Sequence, residues 1–465
     1  MHYENDRVSD LRIAYIGGGS RAWAWTFMTD LAMDPSLSGT ICLYDLDEQA
    51  AKRNETIGNR MSGREDVPGK WRYQTCRSLQ EALTGADFVV ISILPGTFDE
   101  MESDVHLPER LGIYQSVGDT AGPGGILRAL RTIPIYVDLA KAIEACAPQA
   151  WVINYTNPMA LCVRTLYAVY PKIKAFGCCH EVFGTQEVLR DICQLSCGLS
   201  DLKRQDIRVN VLGLNHFTWF DSASCKGIDL FPVYRDYIEK HFEEGYNAPG
   251  RYWQDSSFNC AHRVKFDLFR RYGLIAAAGD RHLAEFMPGD SYLRDPETIR
   301  RWKFSLTPVS WRKADLKKRL ERSERLVSGE EELPLTPTGE EGILLIRALC
   351  GLDRVISNVN IPNAALQIPN LPAQTVVETN AVFERDAIRP VFAGALPENV
   401  LALMRPHAEN QDRVLKAALD CDREAVYQAF LTDPLVLGRA SEAEVRSLVD
   451  DMIRNTTRYL PDGWK

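Results

Sequence analysis

Short runs of apolar residues alternate with segments of helical length in the first half of the chain. Strands are predicted at Leu11–Ile16, Thr40–Asp45, Ala86–Leu94, Trp151–Thr156 and Lys174–Cys179. The intervening segments, for example Leu127–Cys146, have the length and composition of helices. Continuous apolar strands separated by helices are typical of a parallel sheet that is buried on both faces. Ligands bind such sheets beyond the carboxyl ends of the strands, so the residues after each strand are the candidates for function.

The pattern changes beyond residue 200. Ile207–His216 reads as one more strand, and the rest of the chain mixes irregular segments with long charged helices. These helices are predicted at Arg312–Ser328, Asn399–Leu431 and Ser441–Thr457. We therefore place a domain boundary near residue 195, with an α/β domain at 1–195 and an α+β domain at 196–465.

Composition and charge narrow the classes of function. The 465 residues are 45% hydrophobic and 25% charged, which is ordinary for a soluble globular protein. The net charge is −9 and no stretch is basic enough to follow a phosphate backbone, so no nucleic-acid partner is expected. No apolar run approaches the ~18 residues of a membrane span, and the N-terminus lacks the pattern of a signal peptide. We therefore expect a cytoplasmic protein whose twelve cysteines are reduced thiols.

The first predicted strand is followed by a turn of Gly17, Gly18, Gly19 and Ser20, and then by a helix. Glycines at this place let the backbone approach a pyrophosphate, while the helix N-terminus supplies amide donors. Asp45 ends the second strand, where a carboxylate accepts from ribose hydroxyls and disfavours a 2′-phosphate. These features favour a Rossmann-like domain that binds NAD rather than NADP. The third glycine of the usual motif is missing, so a tight structural turn and a helix N-cap at Asp45 are the alternatives.

Five short segments are distinctive, and they run in a fixed order along the chain. They are the GGGS turn, VGDTAGPGG at Val117–Gly125, NYTNP at Asn154–Pro158, GCCH at Gly177–His180 and GLNHF at Gly213–Phe217. Together they resemble glycoside hydrolase family 4, and the resemblance extends over essentially the whole chain. GCCHEVFGTQ and GDRHLAEF are most similar to the α-galacturonidase branch of that family, rather than to its 6-phosphoglycosidases. The resemblance implies an enzyme that hydrolyses α-galacturonides with NAD and a divalent metal, usually Mn²⁺.

The chemistry implied by the resemblance begins with removal of hydride from sugar carbon 3 by NAD. The resulting ketone acidifies carbon 2, and a metal ion on the ketone oxygen acidifies it further. A base then removes the carbon-2 proton, the glycosidic oxygen leaves carbon 1, and water adds. NADH finally returns the hydride, so the reaction has no net redox change.

The resemblance assigns two protein ligands to the metal, Cys179 and His216. Each follows a predicted strand, so both can lie at the carboxyl edge of the sheet. A thiolate suits zinc or iron better than manganese, which conflicts with the usual metal of the family. An isolated pair of this kind is more often a buried thiol and a core histidine, and it is the motifs around them that favour a metal site.

Three residues are candidates for proton transfer. His180 stands where the phosphoglycosidase branch has an aspartate acid, so we expect it to protonate the leaving oxygen. The tyrosine base of that branch is missing, and YWQDSS offers Asp255 as the base, with Tyr252 as the second choice. Asp119, in VGDT, matches an acidic residue that supports the base, and a turn residue before GPGG is the alternative.

Two residues are candidates for substrate binding. Asn157 matches a family position that contacts sugar hydroxyls, and an Asn-Pro turn is the alternative. Arg281, followed by His282 in GDRH, is predicted to pair with the uronate carboxylate, because guanidinium groups bind carboxylates through two parallel hydrogen bonds. A surface turn or a subunit contact would explain Arg281 equally well.

Other functions stay open at this point. An α-glucosidase or α-galactosidase of the same family would use the same NAD and metal residues. An NAD-dependent 2-hydroxy acid dehydrogenase would share the first half of the chain, but it needs no metal pair such as Cys179 and His216. An NAD-binding regulator without activity would be expected to lose these residues or Asp255. The family usually forms dimers or tetramers, so we expect a homo-oligomer that binds a sugar or oligosaccharide.

Overall fold

The chain folds around two sheets, which a computed structural model describes together with their helices for residues 1–464. The strands are β1 (His2–Glu4), β2 (Arg7–Ile16), β3 (Leu37–Tyr44), β4 (Trp71–Thr75), β5 (Phe88–Ile91), β6 (Trp151–Asn154), β7 (Lys174–Gly177), β8 (Ile207–Leu214), β9 (Phe217–Cys225), β10 (Ile228–Asp229), β11 (Ile275–Ala276), β12 (Val355–Pro362), β13 (Val376–Glu384) and β14 (Ala387–Pro390). The α-helices are α1 (Trp23–Met33), α2 (Glu48–Ser62), α3 (Leu79–Leu83), α4 (Phe98–His106), α5 (Gly122–Cys146), α6 (Met159–Val169), α7 (Glu181–Cys197), α8 (Leu230–His241), α9 (Arg263–Tyr272), α10 (Asp280–Glu285), α11 (Gly289–Tyr292), α12 (Pro296–Arg301), α13 (Val309–Ser328), α14 (Gly342–Leu349), α15 (Glu398–Asp420), α16 (Arg423–Leu431) and α17 (Glu442–Thr456).

Strands β2 to β7 form the parallel part of a ten-stranded sheet, in the order β7-β6-β5-β2-β3-β4. This is the strand order of doubly wound nucleotide-binding folds. The order reverses between β2 and β5, so a crevice opens beyond the carboxyl ends of these two strands. The predicted Rossmann-like parallel sheet is therefore confirmed, and the crevice at its reversal point is the place where a nucleotide fits.

Strands from the C-terminal half extend the same sheet. β12 joins β7 in antiparallel orientation through the pair Asn360 and Gly177, and β13 and β14 continue beyond it. The short N-terminal strand β1 pairs antiparallel with β2. The ten-stranded sheet thus crosses the predicted boundary near residue 195, and the division into 1–195 and 196–465 stays a prediction.

A second sheet of four strands, β8 to β11, belongs to the predicted α+β half. β8 and β9 form a hairpin in which Leu214 pairs with Phe217, so the connection is Asn215 and His216 alone. The predicted helix Asn399–Leu431 is two helices, α15 and α16. Asp422 begins the second one, because its side chain accepts from the backbone amide of Ala425.

Different helices cover the two faces of the parallel sheet, because side chains alternate along each strand. Ile13 and Tyr15 of β2 belong to the core beneath α1 and α2, whereas Ala14 and Ile16 belong to the core beneath α5 and α6. The largest core joins α5 to α15, α16 and α17. Within residues 1–464 no helix combines the length and the apolar character that a membrane crossing requires.

Candidate active site

The glycine-rich turn lies at the reversal point of the sheet, between the end of β2 and the start of α1. Gly17 has φ +92°, and a Cβ there would lie 2.0 Å from the carbonyl oxygen of Ser92, which follows β5. A Cβ at Gly19 would lie 2.6 Å from the Cβ of Ala50. The turn therefore needs glycine at both places, since any side chain would push the backbone out of the crevice.

The Asp45 carboxylate lies against this turn. Its Oδ2 accepts from the backbone amide of Gly19 at 2.8 Å, and its Oδ1 accepts from that of Asp47 at 2.9 Å. The N-cap of α2 is Asp47, whose side chain accepts from Ala50. A carboxylate has about four lone-pair sites, so Asp45 retains acceptor capacity for ribose hydroxyls. The arrangement fits the adenosine end of NAD.

A cluster of buried His216 with partly buried Asp119 and His282 lies between elements from the two halves of the chain. One ligand atom from each residue lies within 4.8 Å of the others. His216 occupies the β8–β9 turn with φ +64°, a left-handed conformation that is costly for histidine. His282 lies on α10, and its Nδ1 is buried with no hydrogen-bond partner among residues 1–464. An unpaired nitrogen facing a carboxylate and a second imidazole fits a bound cation.

Thr120 fixes the tautomer of His216. Its hydroxyl donates to Oδ1 of Asp119 at 2.8 Å, so its oxygen accepts from Nδ1 of His216 at 3.0 Å. Nε2 of His216 is then left without a proton, which is the form that binds a metal. Burial, with His282 beside it, lowers the pKa of His216 to about 3, so the ring is neutral near pH 7.

Two carboxylates, Asp119 in the cluster and Glu181 beside it, carry negative charge that neighbouring basic side chains partly balance. Burial raises the pKa of Asp119, but Arg128 and the imidazoles of His282 and His216 outweigh it and hold that pKa below its usual range. Glu181 lies behind His282, with Oε1 at 3.7 Å from Nε2. Burial raises the pKa of Glu181, yet His282, His216 and His180 outweigh it and lower that pKa to about 2. The carboxylate of Asp119 and the imidazoles of His216 and His282 form a donor set that suits a divalent cation such as Mn²⁺, with Glu181 beside it.

Cys179, the other predicted ligand, lies just beyond β7 but is not part of this cluster. The thiol packs in an apolar group with Met159 and Val376. Burial, with Glu378 and Glu181 nearby, raises the pKa of Cys179 well above its ordinary value. The structure brings His216 into a cluster that can hold a metal, and the role of Cys179 as a ligand stays a prediction.

His180, the predicted acid, is held by Glu340 and Trp23. Its Nδ1 lies 3.0 Å from Oε1 of Glu340, and its ring stacks on Trp23 with centroids 5.9 Å apart. Burial lowers the pKa of His180, but Glu340 outweighs it and, with Glu181, raises that pKa to about 9. About half of the side chain is exposed, while Nδ1 is occupied by Glu340. This geometry is consistent with the predicted role as the acid.

The loop that carries Asp119 is held by α10. Glu285 accepts through Oε1 from the backbone amides of Val117 at 2.6 Å and Gly118 at 2.9 Å. Arg281 donates to the carbonyl oxygen of Ser116 at 2.7 Å, and also to Ser305 and Thr307. The guanidinium predicted to bind a uronate is thus buried and donates to protein acceptors. Its contact with substrate stays a prediction, and its contacts in the structure are those of a loop support.

Asn157 lies next to the cluster as expected for a sugar contact. Its Nδ2 donates to Oδ2 of Asp119 at 3.4 Å, while its Oδ1 is buried without a partner among the described residues 1–464. The predicted base, Asp255, lies on an exposed turn instead, where its Oδ2 accepts from the backbone amide of Tyr252 at 2.8 Å. The Tyr252 side chain is 59% exposed. In the structure, Asn157 therefore lies beside the cluster, whereas neither candidate base does.

Sequence reasoning missed three residues that complete the site: Glu181, Glu285 and Arg128. Glu181 follows His180 directly and could have been found from that position in the chain. Glu285 and Arg128 carry no local signal, because their contacts are with loops that are distant in sequence.

Comparison with known proteins agrees with this geometry. Two family models match the chain: Family 4 glycosyl hydrolase at residues 12–195, and Family 4 glycosyl hydrolase C-terminal domain at residues 211–436. An alpha-galacturonidase of Lachnoclostridium phytofermentans is 64% identical over 464 residues, which is 100% of both chains.

Solved structures match over nearly the whole chain as well. A crystal structure of the Bacillus subtilis protein lplD has a TM-score of 0.91 at 51% identity, covering 96% of this chain and 100% of the other. A 6-phospho-alpha-glucosidase from gut microorganisms, in complex with NAD and Mn²⁺, has the same fold, with a TM-score of 0.79 at 18% identity, covering 97% and 99%. By these matches the chain belongs to family 4 of the glycosyl hydrolases.

Proposed function

We propose that this enzyme is an α-galacturonidase, which hydrolyses the glycosidic bond of α-D-galacturonides. The observation that carries the proposal is the relative of that name, which matches the chain from end to end. The site supports it chemically, since Asn157 offers an unpaired oxygen to a sugar hydroxyl beside the cluster of Asp119, His216 and His282.

The cofactors of the proposed reaction are NAD and a divalent metal, with Mn²⁺ the preferred ion. Gly17–Ser20 and Asp45 would hold the NAD, and His216, with Cys179 as the predicted second ligand, would hold the metal. When bound, NAD supplies an oxidant for a sugar carbon, and the cation supplies positive charge that acidifies the neighbouring carbon. Asp119 and His282 each have a ligand atom within 4.8 Å of one from His216, so they could contribute to the same metal site. A structural neighbour that was solved with NAD and Mn²⁺ supports this assignment.

The residues of this chain would move protons at defined atoms. His180 would donate a proton from Nε2 to the leaving glycosidic oxygen, while Glu340 keeps Nδ1 protonated. Asp119 would support the base, and Asn157 would orient the sugar through its hydroxyls. Asp255 remains the proposed base, and Tyr252 its alternative.

We propose that the two halves of the chain have the separate roles that the sequence suggests. Residues 1–195 would bind NAD and supply Asp119 and His180, and residues 196–465 would supply His216, the remaining substrate contacts and the oligomer interface. A homodimer or homotetramer in the cytoplasm is the expected form.

Hydrolysis of a panel of aryl α-glycosides tests the function. Galacturonide, galactoside, glucoside and 6-phosphoglucoside would be compared with NAD, Mn²⁺ and a thiol present, and the released phenol would be measured. We expect the galacturonide to have the highest kcat/KM and the absorbance of NADH to stay flat. Preference for the galactoside or glucoside would assign another activity of the family, and accumulation of NADH with a 2-hydroxy acid would favour a dehydrogenase.

A further inference from the structure

Arg312, on the first turn of α13, has a guanidinium group that the protein leaves incompletely paired. Its Nε is buried, yet it has no hydrogen-bond partner among residues 1–464. Burial lowers the pKa of Arg312, and Asp119 is the first acidic group that opposes this effect. A buried donor without an acceptor is costly, so a site of this kind is typical of one that is completed by a ligand.

The other two arginines around the loop that carries Asp119, Arg128 and Arg281, each donate through Nε to a protein carbonyl oxygen. Arg128 donates through Nε to the carbonyl oxygen of Asn157 at 2.9 Å. Arg281 donates through Nε to Ser305 at 3.2 Å, and through a terminal nitrogen to Ser116 at 2.7 Å. Of these three cations, Arg312 is the one whose buried Nε has no acceptor among residues 1–464, so it is the one that an external anion would complete.

Exposed aromatic rings lie beside Arg312. The ring of Phe258 lies 5.9 Å from the Cζ of Arg312, and it meets Trp311 edge to face with centroids 4.9 Å apart. Phe258 is 44% exposed and Trp311 is 40% exposed. Ligand sites are lined in this way, with apolar and aromatic surface around a few polar groups that fix orientation. Together with the guanidinium, these rings fit a ring-shaped ligand that carries one negative charge.

We propose that Arg312 binds the carbon-6 carboxylate of the galacturonide and so determines the preference for uronates. The inference rests on the proposed function, in which sugar carbons 2 and 3 face the cluster of Asp119, His216 and His282. In a pyranose ring the substituent on carbon 5 projects from the side of the ring opposite to these carbons. Arg312 lies near Asp119 but outside the metal cluster, and Arg128 adds positive charge. Under this proposal Arg281, which donates to Ser116, would support the loop while Arg312 contacts the carboxylate.

Binding measurements on the enzyme loaded with NAD and Mn²⁺ test the proposal without relying on turnover. D-galacturonate and its neutral methyl ester would be titrated by calorimetry into wild type, Arg312→Gln and Arg312→Lys. We expect Arg312→Gln to weaken the acid by about tenfold to a hundredfold and to leave the ester within about twofold. Arg312→Lys keeps the charge but loses the fork, so its loss should be smaller and still confined to the acid.

Lys313→Gln is the matched control, because it removes the next positive charge on the same helix. Lys313 pairs with Asp99 and Glu102 away from the cluster, so both ligands should bind to this variant as to wild type. Equal weakening of acid and ester in both Arg312 variants would overturn the proposal, since it would mean that Arg312 supports the fold. Unchanged binding of the acid to Arg312→Gln would overturn it as well.

The wild type separates failure of this inference from failure of the proposed function. A wild-type enzyme that binds the ester as tightly as the acid would refute the uronate substrate, whatever Arg312 does. A wild type that prefers the acid, together with an Arg312→Gln variant that keeps this preference, would leave the function standing and refute the role of Arg312. The same variants should lower kcat/KM on an aryl galacturonide by the factor seen in binding.

Discussion

The imidazole rings of His216 and His282 lie with their centroids 3.9 Å apart, although one belongs to a hairpin turn and the other to a helix. Two imidazolium ions at this distance would repel each other, and burial increases the cost of each charge. The two rings therefore cannot both carry a positive charge at low cost. As neutral rings they can offer lone pairs to one bound cation, whose charge Asp119 would balance.

Removal of the metal should abolish activity and leave the nucleotide site intact. Chelation should inactivate the enzyme, and Mn²⁺ should restore more activity than Mg²⁺, because Mg²⁺ accepts nitrogen and sulfur ligands poorly. His216→Ala and Cys179→Ser should each abolish turnover with little change in NAD affinity. Titration of Mn²⁺ by paramagnetic resonance, with NAD binding measured by fluorescence, checks both parts.

His282 provides the discriminating variant for the ligand set. If it is part of the cation site, His282→Ala should weaken Mn²⁺ by about tenfold to a hundredfold, the usual loss for groups around a metal. Wild-type Mn²⁺ affinity in that variant, with affinity lost in Cys179→Ser, would assign the metal to Cys179 and His216 alone. Wild-type affinity in Cys179→Ser would instead refute the cysteine ligand.

Glu340 should matter most for substrates with poor leaving groups. Its carboxylate lies 3.0 Å from Nδ1 of His180, and in the proposed mechanism it keeps that imidazole protonated as the acid. Glu340→Gln and His180→Asn should lower kcat/KM by up to about 10²- to 10⁴-fold on an alkyl galacturonide. The loss should be much smaller on a nitrophenyl galacturonide, whose leaving group needs no proton. Equal losses on both substrates would contradict the acid role, and exposed Glu330→Gln serves as the control.

Most of the parallel sheet could be predicted, because its strands are local apolar runs. The strand predicted at Leu11–Ile16 and the glycine turn after it are where the pattern put them. The antiparallel extension of the sheet could not be predicted. It depends on the pairing of Asn360 with Gly177, which no local pattern encodes.

The functional site, like the sheet, could be predicted only where the signal is local in sequence. His216 and Asp119 follow from short motifs, and the structure brings them together. Arg281 shows the limit of such reasoning, because the acceptor of its guanidinium, Ser116, lies 165 residues away along the chain. A motif indicates that an arginine is present, but the packing of α10 against a distant loop decides whether its donors face a substrate or a carbonyl oxygen.

Glu285 should give the folded protein a measurable dependence on pH. Burial raises the pKa of Glu285 from an ordinary value of 4.5 to about 7, although the amides of Val117 and Gly118 oppose this. Its contribution to stability is therefore fully present below about pH 4.5 and is lost as pH rises through about 7. Glu285→Gln keeps the acceptor oxygen without the charge.

Urea unfolding of the metal-free enzyme between pH 5 and pH 8.5 measures this contribution. The stability of wild type relative to Glu285→Gln should fall across that range, whereas the exposed control Glu297→Gln should follow wild type. Curves for wild type and Glu285→Gln that stay parallel would mean that Glu285 ionises normally. Glu285→Ala should also reduce Mn²⁺ affinity, because the loop that carries Asp119 loses its support.

Deuterium from solvent should enter the released sugar at carbon 2. The proposed elimination removes the carbon-2 proton, and a base in contact with water exchanges it before it returns. Turnover of the galacturonide in D₂O, followed by proton resonance of the product, measures this incorporation. Product without deuterium at carbon 2 would exclude elimination and would favour direct displacement at carbon 1.

The same measurement of deuterium exchange at carbon 2 also identifies the base. Asp255 lies on an exposed turn outside the cluster, so this proposal requires the turn to approach the sugar when substrate binds. If Asp255 is the base, Asp255→Asn should slow both turnover and exchange by about 10²- to 10⁴-fold, while Tyr252→Phe should slow neither. NAD affinity should stay unchanged in both variants, because neither residue belongs to the glycine-rich turn or contacts Asp45 in the structure. The reverse result would assign the base to Tyr252, and unaffected exchange in both variants would move the search to the carboxylates of the cluster itself.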